Sequence, residues 1–316
     1  MAKRNVILMT GTPVTTPEDV FGYTKFVDPA AYPTFSSFEY RHVEGRDIFN
    51  RVTGWKDLDT LNDNFLYNSC RAFRREIDMD LPDVTYEPIF YDLVPKHLAV
   101  YNKLAEEALL LIDENEEIDF LTQSGLQNAL QQVIIGYSEY LPDDVKVTSR
   151  KDIAALHLLD SIMADMGDRK LLVFAWYKNS IETILEHSSK YGAVAVNGTL
   201  TTKQRNENID KFVNDPDCKM LIGQPLSMGS GLDSLKDVCS DILFLELPMV
   251  SKDFVQAVGR IDRNGQQNRC HVKVAVANKT VQVRRQEALL RKDEVANVVQ
   301  NPPINYKNLR DWIYGK

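Results

Sequence analysis

The residues best suited to chemistry lie in one string, from Gln256 to Gln266, which reads Gln-Ala-Val-Gly-Arg-Ile-Asp-Arg-Asn-Gly-Gln. On a helix, Gln256, Arg260 and Arg263 stand at positions 0, +4 and +7, so all three project from one face. Two arginines one turn apart offer two planar charged groups to the oxygens of a triphosphate. Such arginines stabilise charge that develops on a transferred phosphoryl group. Taken by itself, the spacing of the two arginines is better explained by a solvated basic helix face.

A glycine-rich turn is the second candidate site. The string Gly229-Ser230-Gly231-Leu232-Asp233 follows an apolar run at 219–223. Glycines allow backbone amides to approach a phosphate closely, and the Asp233 carboxylate can accept a hydrogen bond from a ribose hydroxyl. An ordinary loop at the exit of a strand explains the same residues equally well.

Both candidate sites, the 256–266 string and the glycine-rich turn, lie among alternating apolar strands and helices. This alternation predicts a parallel sheet with helices on both faces, a doubly wound α/β fold. Within the predicted 251–261 helix, Val255, Val258 and Ile261 form a second face that can pack on the sheet. The predicted strands are 170–176, 193–196, 219–223, 241–247 and 271–277, and the predicted helices are 151–166, 178–190, 201–214, 251–261 and 279–299.

The first half of the chain is less regular. The apolar residues 5–9 read as a buried strand that runs into the turn Thr10-Gly11-Thr12-Pro13. A second strand is predicted from Tyr86 to Leu93. The turn formers at 136–150 suggest a domain boundary near residue 145. Helices are predicted at 17–27, from Pro95 to about Asp113, and at 118–135.

The complete 256–266 string resembles motif VI of the superfamily-two helicases, in particular the Swi/Snf branch of DNA translocases. The resemblance implies that Arg260 and Arg263 reach ATP bound on another lobe, and that Gln256 lies at the cleft between the two lobes. It also implies a RecA-like sheet domain, the C-terminal lobe of the helicase. A mostly helical segment and a remnant of the first lobe would precede this domain.

Other segments follow in the order of the same family. Met9 to Pro13 resembles motif III, in which Thr10, Gly11 and Thr12 would couple nucleotide state to lobe movement. Leu171 to Ala175 is similar to motif IV. In the segment after motif IV the family sets basic residues against the DNA backbone, and here these are Lys203 and Arg205. A charged helix face is an equal alternative for those two residues.

The glycine-rich turn resembles motif V, although less closely. Gly229, Gly231 and Asp233 fit its nucleotide-binding ending. The family usually has Ser-Thr and a basic residue where this chain has Gln224, Pro225 and Leu226. This departure weakens the expected motif V contact to DNA, for which Ser227 is a substitute.

Two motifs that an ATP-driven DNA translocase needs do not occur in the sequence. No G-x-x-x-x-G-K-[ST] phosphate loop is present. Asp113-Glu114 imitates the carboxylate pair that holds Mg²⁺, but it ends a helical apolar stripe that begins at Tyr101. In the family this pair also precedes motif III. The resemblance therefore implies a C-terminal portion of a motor, extending from motif III to motif VI.

These features together predict part of an ATP-dependent DNA translocase or helicase. ATP and Mg²⁺ would bind mainly to the missing first lobe, present in cis or as a separate chain, and the isolated chain would hydrolyse ATP negligibly. Double-stranded DNA is the expected partner, contacted through its backbone. The expected domains are the end of the first lobe with a connecting segment at 1–94, a helical insertion at 95–145, and the second lobe at 146–316.

Composition limits the alternatives. The formal net charge of −8 argues against a surface that coats nucleic acid, but it allows a local basic groove. The four cysteines lack the spacing of a metal site, and no apolar run reaches the ~20 residues that span a bilayer. The chain is therefore expected to be soluble and intracellular. A non-catalytic pseudo-motor that binds DNA or protein is one alternative function, and an RNA helicase fragment is another.

Overall fold

A computed structural model describes residues 7–10, 13–14, 16–46, 50, 52–67, 69–70, 82–114, 128–135, 153–224, 234–248, 251–283 and 286. The chain divides into two compact units. The larger consists of Asp80–Met249 and Asp253–Gln286. The smaller consists of Met1–Met79, Val250–Lys252 and Glu287–Lys316.

The larger unit is built on a six-stranded, entirely parallel sheet. Its strands are β3 (Val84–Tyr91), β4 (Lys170–Phe174), β5 (Val194–Val196), β6 (Met220–Gly223), β7 (Cys239–Phe244) and β8 (Cys270–Ala277). Their order across the sheet is β3-β8-β7-β4-β6-β5. The helices are α4 (Pro95–Glu114), α5 (128–134), α6 (Ala154–Met166), α7 (Lys178–His187), α8 (Thr202–Asn214), α9 (Leu235–Val238) and α10 (Ser251–Val258). The predicted α/β class and parallel sheet are confirmed.

Apolar runs explain the central strands. All residues of β6 are buried, as are four of the five in β4, because helices cover the sheet on both faces. Helix α6 buries residues at helical spacing against the same core, among them Leu156, Leu159 and Met163. The periodicity that predicted these elements therefore reflects one continuous hydrophobic core.

The edge strand β3 joins the sheet through residues far away in sequence. It pairs with β8 at a constant separation of 186 residues. Arg269 Nη2 lies 3.4 Å from Asp83 Oδ2, and Lys273 Nζ lies 3.1 Å from Glu87 Oε2. The sheet thus uses a strand from the segment that the sequence analysis assigned to the connection between lobes. The domain boundaries near 94 and 145 remain predictions.

The helix from Pro95 resolves the ambiguity of Asp113-Glu114. Helix α4 runs without interruption from Pro95 to Glu114. The two acidic residues therefore end a helix, as predicted, and do not follow a strand as an Mg²⁺-binding pair does. Of the predicted 118–135 helix, the described part is helical at 128–134.

The smaller unit contains α1 (Glu18–Val27), α2 (Phe35–His42), β1 (Val43–Arg46), β2 (Val52–Trp55) and α3 (Leu58–Tyr67). Strands β1 and β2 form an antiparallel pair. The core is largely aromatic, with Tyr32 and Phe38 packed edge to face at 5.3 Å. The predicted 17–27 helix is confirmed by α1.

The predicted buried strand at 5–9 is wrong for its described residues, Ile7 to Met9. They have no regular structure, and Met9 is 90% exposed. Within the described ranges no neighbouring strand pairs with this segment. An apolar run becomes a buried strand only where other strands satisfy its backbone and cover its side chains.

Candidate functional site

Helix α10 leads into the arginine string and is fixed to the sheet by aromatic packing. The ring of Phe254 stacks on Phe244 at 4.6 Å and lies 6.2 Å from Tyr86. Val258 and Ile261 are buried, as the sequence predicted. Val255, expected on the same face, is 51% exposed.

The helix ends at Val258, three residues earlier than predicted. Gly259 follows, and glycine weakens a helix by ~1 kcal/mol relative to alanine. The amides of Arg260 and Ile261 then donate to carbonyls three residues back, at 3.1 Å each. The segment 259–265 is therefore a series of tight turns, here called the arginine turn. The prediction that Gln256, Arg260 and Arg263 share one helical face is wrong.

Gln266 closes the arginine turn. Its buried side-chain amide donates to the carbonyl oxygens of Cys239 at 3.1 Å and Ile261 at 3.2 Å. Its side-chain oxygen Oε1 accepts a hydrogen bond of 2.9 Å from the backbone amide of Asn268. All three bonds join the end of the turn to main-chain groups, one of them at the start of β7. The sequence pattern marked Gln266 as part of the motif but gave no sign of this structural role.

Gly265 provides the backbone conformation that the turn needs. Its φ of +95° lies in the left-handed region, which side chains disfavour. A Cβ atom at this position would also stand 2.8 Å from Lys236 Nζ. The glycine therefore permits both the reversal of the chain and the approach of the ammonium group.

Arg260 is held in an unusual electrostatic environment. The residue is half-buried, and its Nε has no hydrogen-bond partner among the described residues. Burial, and next the positive charge of Arg263, lower the pKa of Arg260 below its ordinary value. Two cations close to each other, one of them poorly solvated, favour binding of an anion that interacts with both.

The remaining described candidates are spread over the chain. Gln256 and Thr10 are exposed. Lys203, on α8, is 87% exposed and lies 3.8 Å from Glu207, as expected of a solvated helix face. Arg205 is half-buried, and its Nε lacks a hydrogen-bond partner within the described ranges. Two residues apart on one helix, Lys203 and Arg205 do not face the same direction.

Six predicted site residues lie outside the described residues. They are Gly11 and Thr12 of the motif III segment, and Ser227, Gly229, Gly231 and Asp233 of the glycine-rich turn. Their roles remain predictions.

Glu246 is a buried acidic residue that the sequence analysis did not identify. It follows β7, and its carboxylate accepts hydrogen bonds from the Trp176 amide at 2.5 Å and the Tyr177 amide at 3.1 Å. The Ser180 hydroxyl donates to it at 2.5 Å. These donors surround the first turn of α7, so Glu246 acts as its N-terminal cap. Burial, and next the charge of Glu246, raise the pKa of Tyr91.

Two further properties bear on the kind of site. In the part of the chain that the structure describes, no three His, Cys, Asp or Glu side chains are grouped so that they could hold a metal ion. None of the described helices is long and apolar enough to cross a membrane.

Known proteins are similar to the part of the chain that contains the sheet and the arginine turn. Residues 154–265, from the start of α6 to Gly265, match the helicase conserved C-terminal domain. The DNA annealing helicase and endonuclease ZRANB3 of Mus musculus is 24% identical over 310 residues. This match covers 94% of the chain but 27% of ZRANB3. The chain is similar to this helicase over nearly its whole length.

Proteins named as Swi/Snf-related are also similar to the chain. A SWI/SNF-related matrix-associated actin-dependent regulator of chromatin subfamily A-like protein 1 homolog of Caenorhabditis elegans is 23% identical over 285 residues. That match covers 87% of the chain and 38% of the relative. The Sulfolobus solfataricus SWI2/SNF2 ATPase core in complex with dsDNA has the same fold, with a TM-score of 0.54 and 20% identity. This match covers 91% of the chain and 62% of the archaeal one.

The fold matches that of the C-terminal domain of a Swi/Snf ATPase over 74% of the chain. A structure of the C-terminal domain alone, from the same archaeal ATPase, is matched over 94% of its length with a TM-score of 0.51. The chain spans about a quarter of the length of ZRANB3, 27% of it. The predicted family resemblance and RecA-like lobe are therefore confirmed.

Proposed function

We propose that this chain is the C-terminal part of an ATP-dependent DNA translocase, in which Arg260 and Arg263 are the arginine fingers. The supporting observation is the half-buried Arg260, whose Nε lacks a hydrogen-bond partner among the described residues, next to a second cation. A triphosphate is the anion that fits two neighbouring guanidinium groups. Gln256 would lie at the cleft between the lobes.

The two arginines fit a nucleotide bound by another lobe better than a nucleotide bound by this chain alone. Mg·ATP would supply the phosphoryl group and a divalent charge that screens it. The residues of this chain contribute positive charge held by a rigid turn, because Gln266 fixes the turn to β7. Gly229, Gly231 and Asp233 would contact the same nucleotide. The lobe that holds the nucleotide, in cis or as a separate chain, is the second partner in this proposal.

The proposed nucleic-acid partner is double-stranded DNA. The similar archaeal ATPase core was solved with dsDNA, and ZRANB3 is named a DNA annealing helicase. Lys203, Arg205 and Ser227 would contact phosphates and not bases, so binding would show little sequence preference and strong salt dependence. Thr10, Gly11 and Thr12 would couple the two lobes. The protein would act in the nucleus if it is eukaryotic, and in the cytoplasm or at the nucleoid if it is bacterial or from a phage.

A polyphosphate titration tests the arginine site without the other lobe. Thermal unfolding of the chain should shift upwards in millimolar tripolyphosphate, because the ligand binds only the folded state. Arg260→Ala and Arg263→Ala should each remove most of this shift. Arg269→Ala is the matched control, since Arg269 is exposed and pairs with Asp83. Equal shifts in all four proteins would exclude a polyphosphate site at the arginine turn.

ATP hydrolysis and DNA binding test the rest of the proposal. The chain alone should hydrolyse ATP at the background rate with or without DNA. Lys203→Ala should lower the salt dependence of duplex binding by about one phosphate contact, a slope change of ~0.9. ATP hydrolysis by the isolated chain that Arg260→Ala abolishes would contradict the assignment of the nucleotide to another lobe.

A function on RNA is the second candidate, since one relative is the ATP-dependent RNA helicase DBP3 of Meyerozyma guilliermondii. It is 24% identical over 222 residues, which cover 68% of this chain. Tighter binding of an RNA duplex than of a DNA duplex with the same sequence would favour this candidate. A non-catalytic pseudo-motor is the third. It predicts that Arg260 and Arg263 can be replaced without loss of function in the complete protein.

A further inference from the structure

The smaller unit contains an open cavity that none of the proposed motor contacts uses. Its volume is about 600 Å³, within the usual range of small-ligand sites. The polar and aromatic residues that line it come from α2 and from the segments before α2 and before α3. They are Tyr32, Ser37, Tyr40, Arg41, Lys56 and Asp57.

Hydrogen bonds connect the residues at the floor of the cavity. The buried Tyr32 hydroxyl lies 2.7 Å from His42 Nε2 and accepts a hydrogen bond of 2.8 Å from Asn64 Nδ2. The other ring nitrogen of His42 lies 3.4 Å from the carbonyl oxygen of Lys56. This network ties the chain on both sides of the cavity, so the site is formed before a ligand arrives.

The rim combines positive charge with an exposed aromatic ring. Arg41 and Lys56 contribute two cations, and Asp57 contributes one carboxylate. Tyr40 is 85% exposed, so its ring is accessible to a partner. Lys56 Nζ lies 5.8 Å from the centre of this ring, so one cation is held beside the aromatic group.

This combination matches the chemistry of an unpaired nucleotide. A phosphate pairs with the arginine and the lysine, while a base stacks on an accessible aromatic ring. Bases in a duplex are already stacked on each other, so their faces are not available to stack on Tyr40. A simple anion would use the two cations but would leave the role of Tyr40 unexplained.

We propose that this cavity binds a nucleotide of single-stranded nucleic acid, with its phosphate on Arg41 and Lys56 and its base on Tyr40. The site lies in the smaller unit and uses no residue of the arginine turn or of α8. It would hold an unpaired strand, whereas the contacts proposed for the larger unit take the duplex backbone. The inference therefore stands independently of the arginine-finger assignment.

Binding of a labelled oligo-dT strand to the full chain, followed by fluorescence anisotropy, tests this site. Tyr40→Ala should weaken binding by about five- to a hundredfold, the range for loss of one stacked base. Tyr40→Phe keeps the ring and should bind as the wild type does. Tyr67→Ala is the matched control, because Tyr67 is 84% exposed in the same unit but does not line the cavity.

The charged residues of the cavity allow a second test, in which removing a cation and removing the carboxylate should have opposite effects on binding. Arg41→Ala and Lys56→Ala should each reduce the salt dependence of strand binding by a slope of ~0.7. Asp57→Asn should strengthen binding by about threefold, the size of one charge–charge interaction at roughly 6 Å in water. A gain of affinity cannot arise from misfolding, so this variant separates a binding effect from a folding defect.

Four results would overturn the proposal. One is an absence of oligo-dT binding by the wild type, and another is equal weakening by Tyr40→Ala and Tyr67→Ala. The third is equal weakening of strand and duplex binding by Tyr40→Ala, which would indicate a general electrostatic surface. Competition by dTMP as effective as competition by the strand, per nucleotide, would instead assign the cavity to a free nucleotide. Failure of the polyphosphate experiment would leave these outcomes unaffected.

Discussion

The side-chain amide of Gln266 donates a hydrogen bond of 3.1 Å to the carbonyl oxygen of Cys239, the first residue of β7. This bond connects the last residue of the arginine string to the central sheet. The position of two guanidinium groups therefore depends on one buried, uncharged amide.

Gln266→Ala should destabilise the larger unit by about 2–3 kcal/mol, because it leaves buried main-chain groups without hydrogen-bond partners. Denaturant unfolding monitored by circular dichroism measures the effect. Gln267→Ala is the matched control, because this neighbour is exposed and its side chain donates to the Gly265 carbonyl at 3.2 Å. Similar losses in both variants would mean that Gln266 has no special anchoring role.

Arg260→Met should leave the stability of the chain unchanged or slightly higher, although it should remove the response to tripolyphosphate. The native residue is half-buried next to the cation Arg263, and methionine keeps most of its apolar contacts without the charge. Thermal unfolding with and without the ligand measures both effects. A loss of more than about 1 kcal/mol without ligand would point to a structural role for the guanidinium group.

The smaller unit should lose stability as the pH falls below about 6.5. Burial lowers the pKa of His42 from its usual value of 6.5. The unfolded chain therefore binds the proton more readily than the folded one, and the stabilisation present above pH 6.5 is lost as the pH falls towards the folded pKa. Unfolding followed by Trp55 fluorescence, with Trp176 and Trp312 replaced by Phe, measures this dependence between pH 8 and 5.

His42→Gln should flatten that pH dependence, since it removes the titrating group while retaining a polar side chain. The exposed His157 provides the control substitution, His157→Gln. An unchanged pH profile in His42→Gln would show that another group causes the acid sensitivity.

Glu246→Gln should destabilise the larger unit by about 2–3 kcal/mol. The buried carboxylate accepts hydrogen bonds from two backbone amides and the Ser180 hydroxyl, and a glutamine amide would direct donors against donors. Glu182→Gln, which removes an exposed partner of Lys178, should cost at most about 0.5 kcal/mol. Thermal unfolding compares the two. Equal effects would argue against the capping role.

Much of the larger unit was predictable, because its strands and helices follow the periods that a buried sheet imposes on the sequence. Strands β4 to β8 lie within a few residues of their predicted positions. The end of α10 was not predictable from the sequence. Val255, Val258 and Ile261 continue the apolar spacing of a helix past Gly259, where the helix has already ended. In the structure, Ile261 is buried, but it lies in the turn that follows the helix and not in the helix itself.

The sequence alone determined the fold class, the family resemblance and the choice of Arg260 and Arg263 as candidate site residues. These depend on local periodicity and on one long motif. Tertiary structure decided where those arginines lie. The anchoring of Gln266 to Cys239 and the pairing of β3 with β8 join residues 27 and 186 positions apart. Such contacts depend on how the chain closes on itself, and this information is absent from the spacing of residues along any one segment.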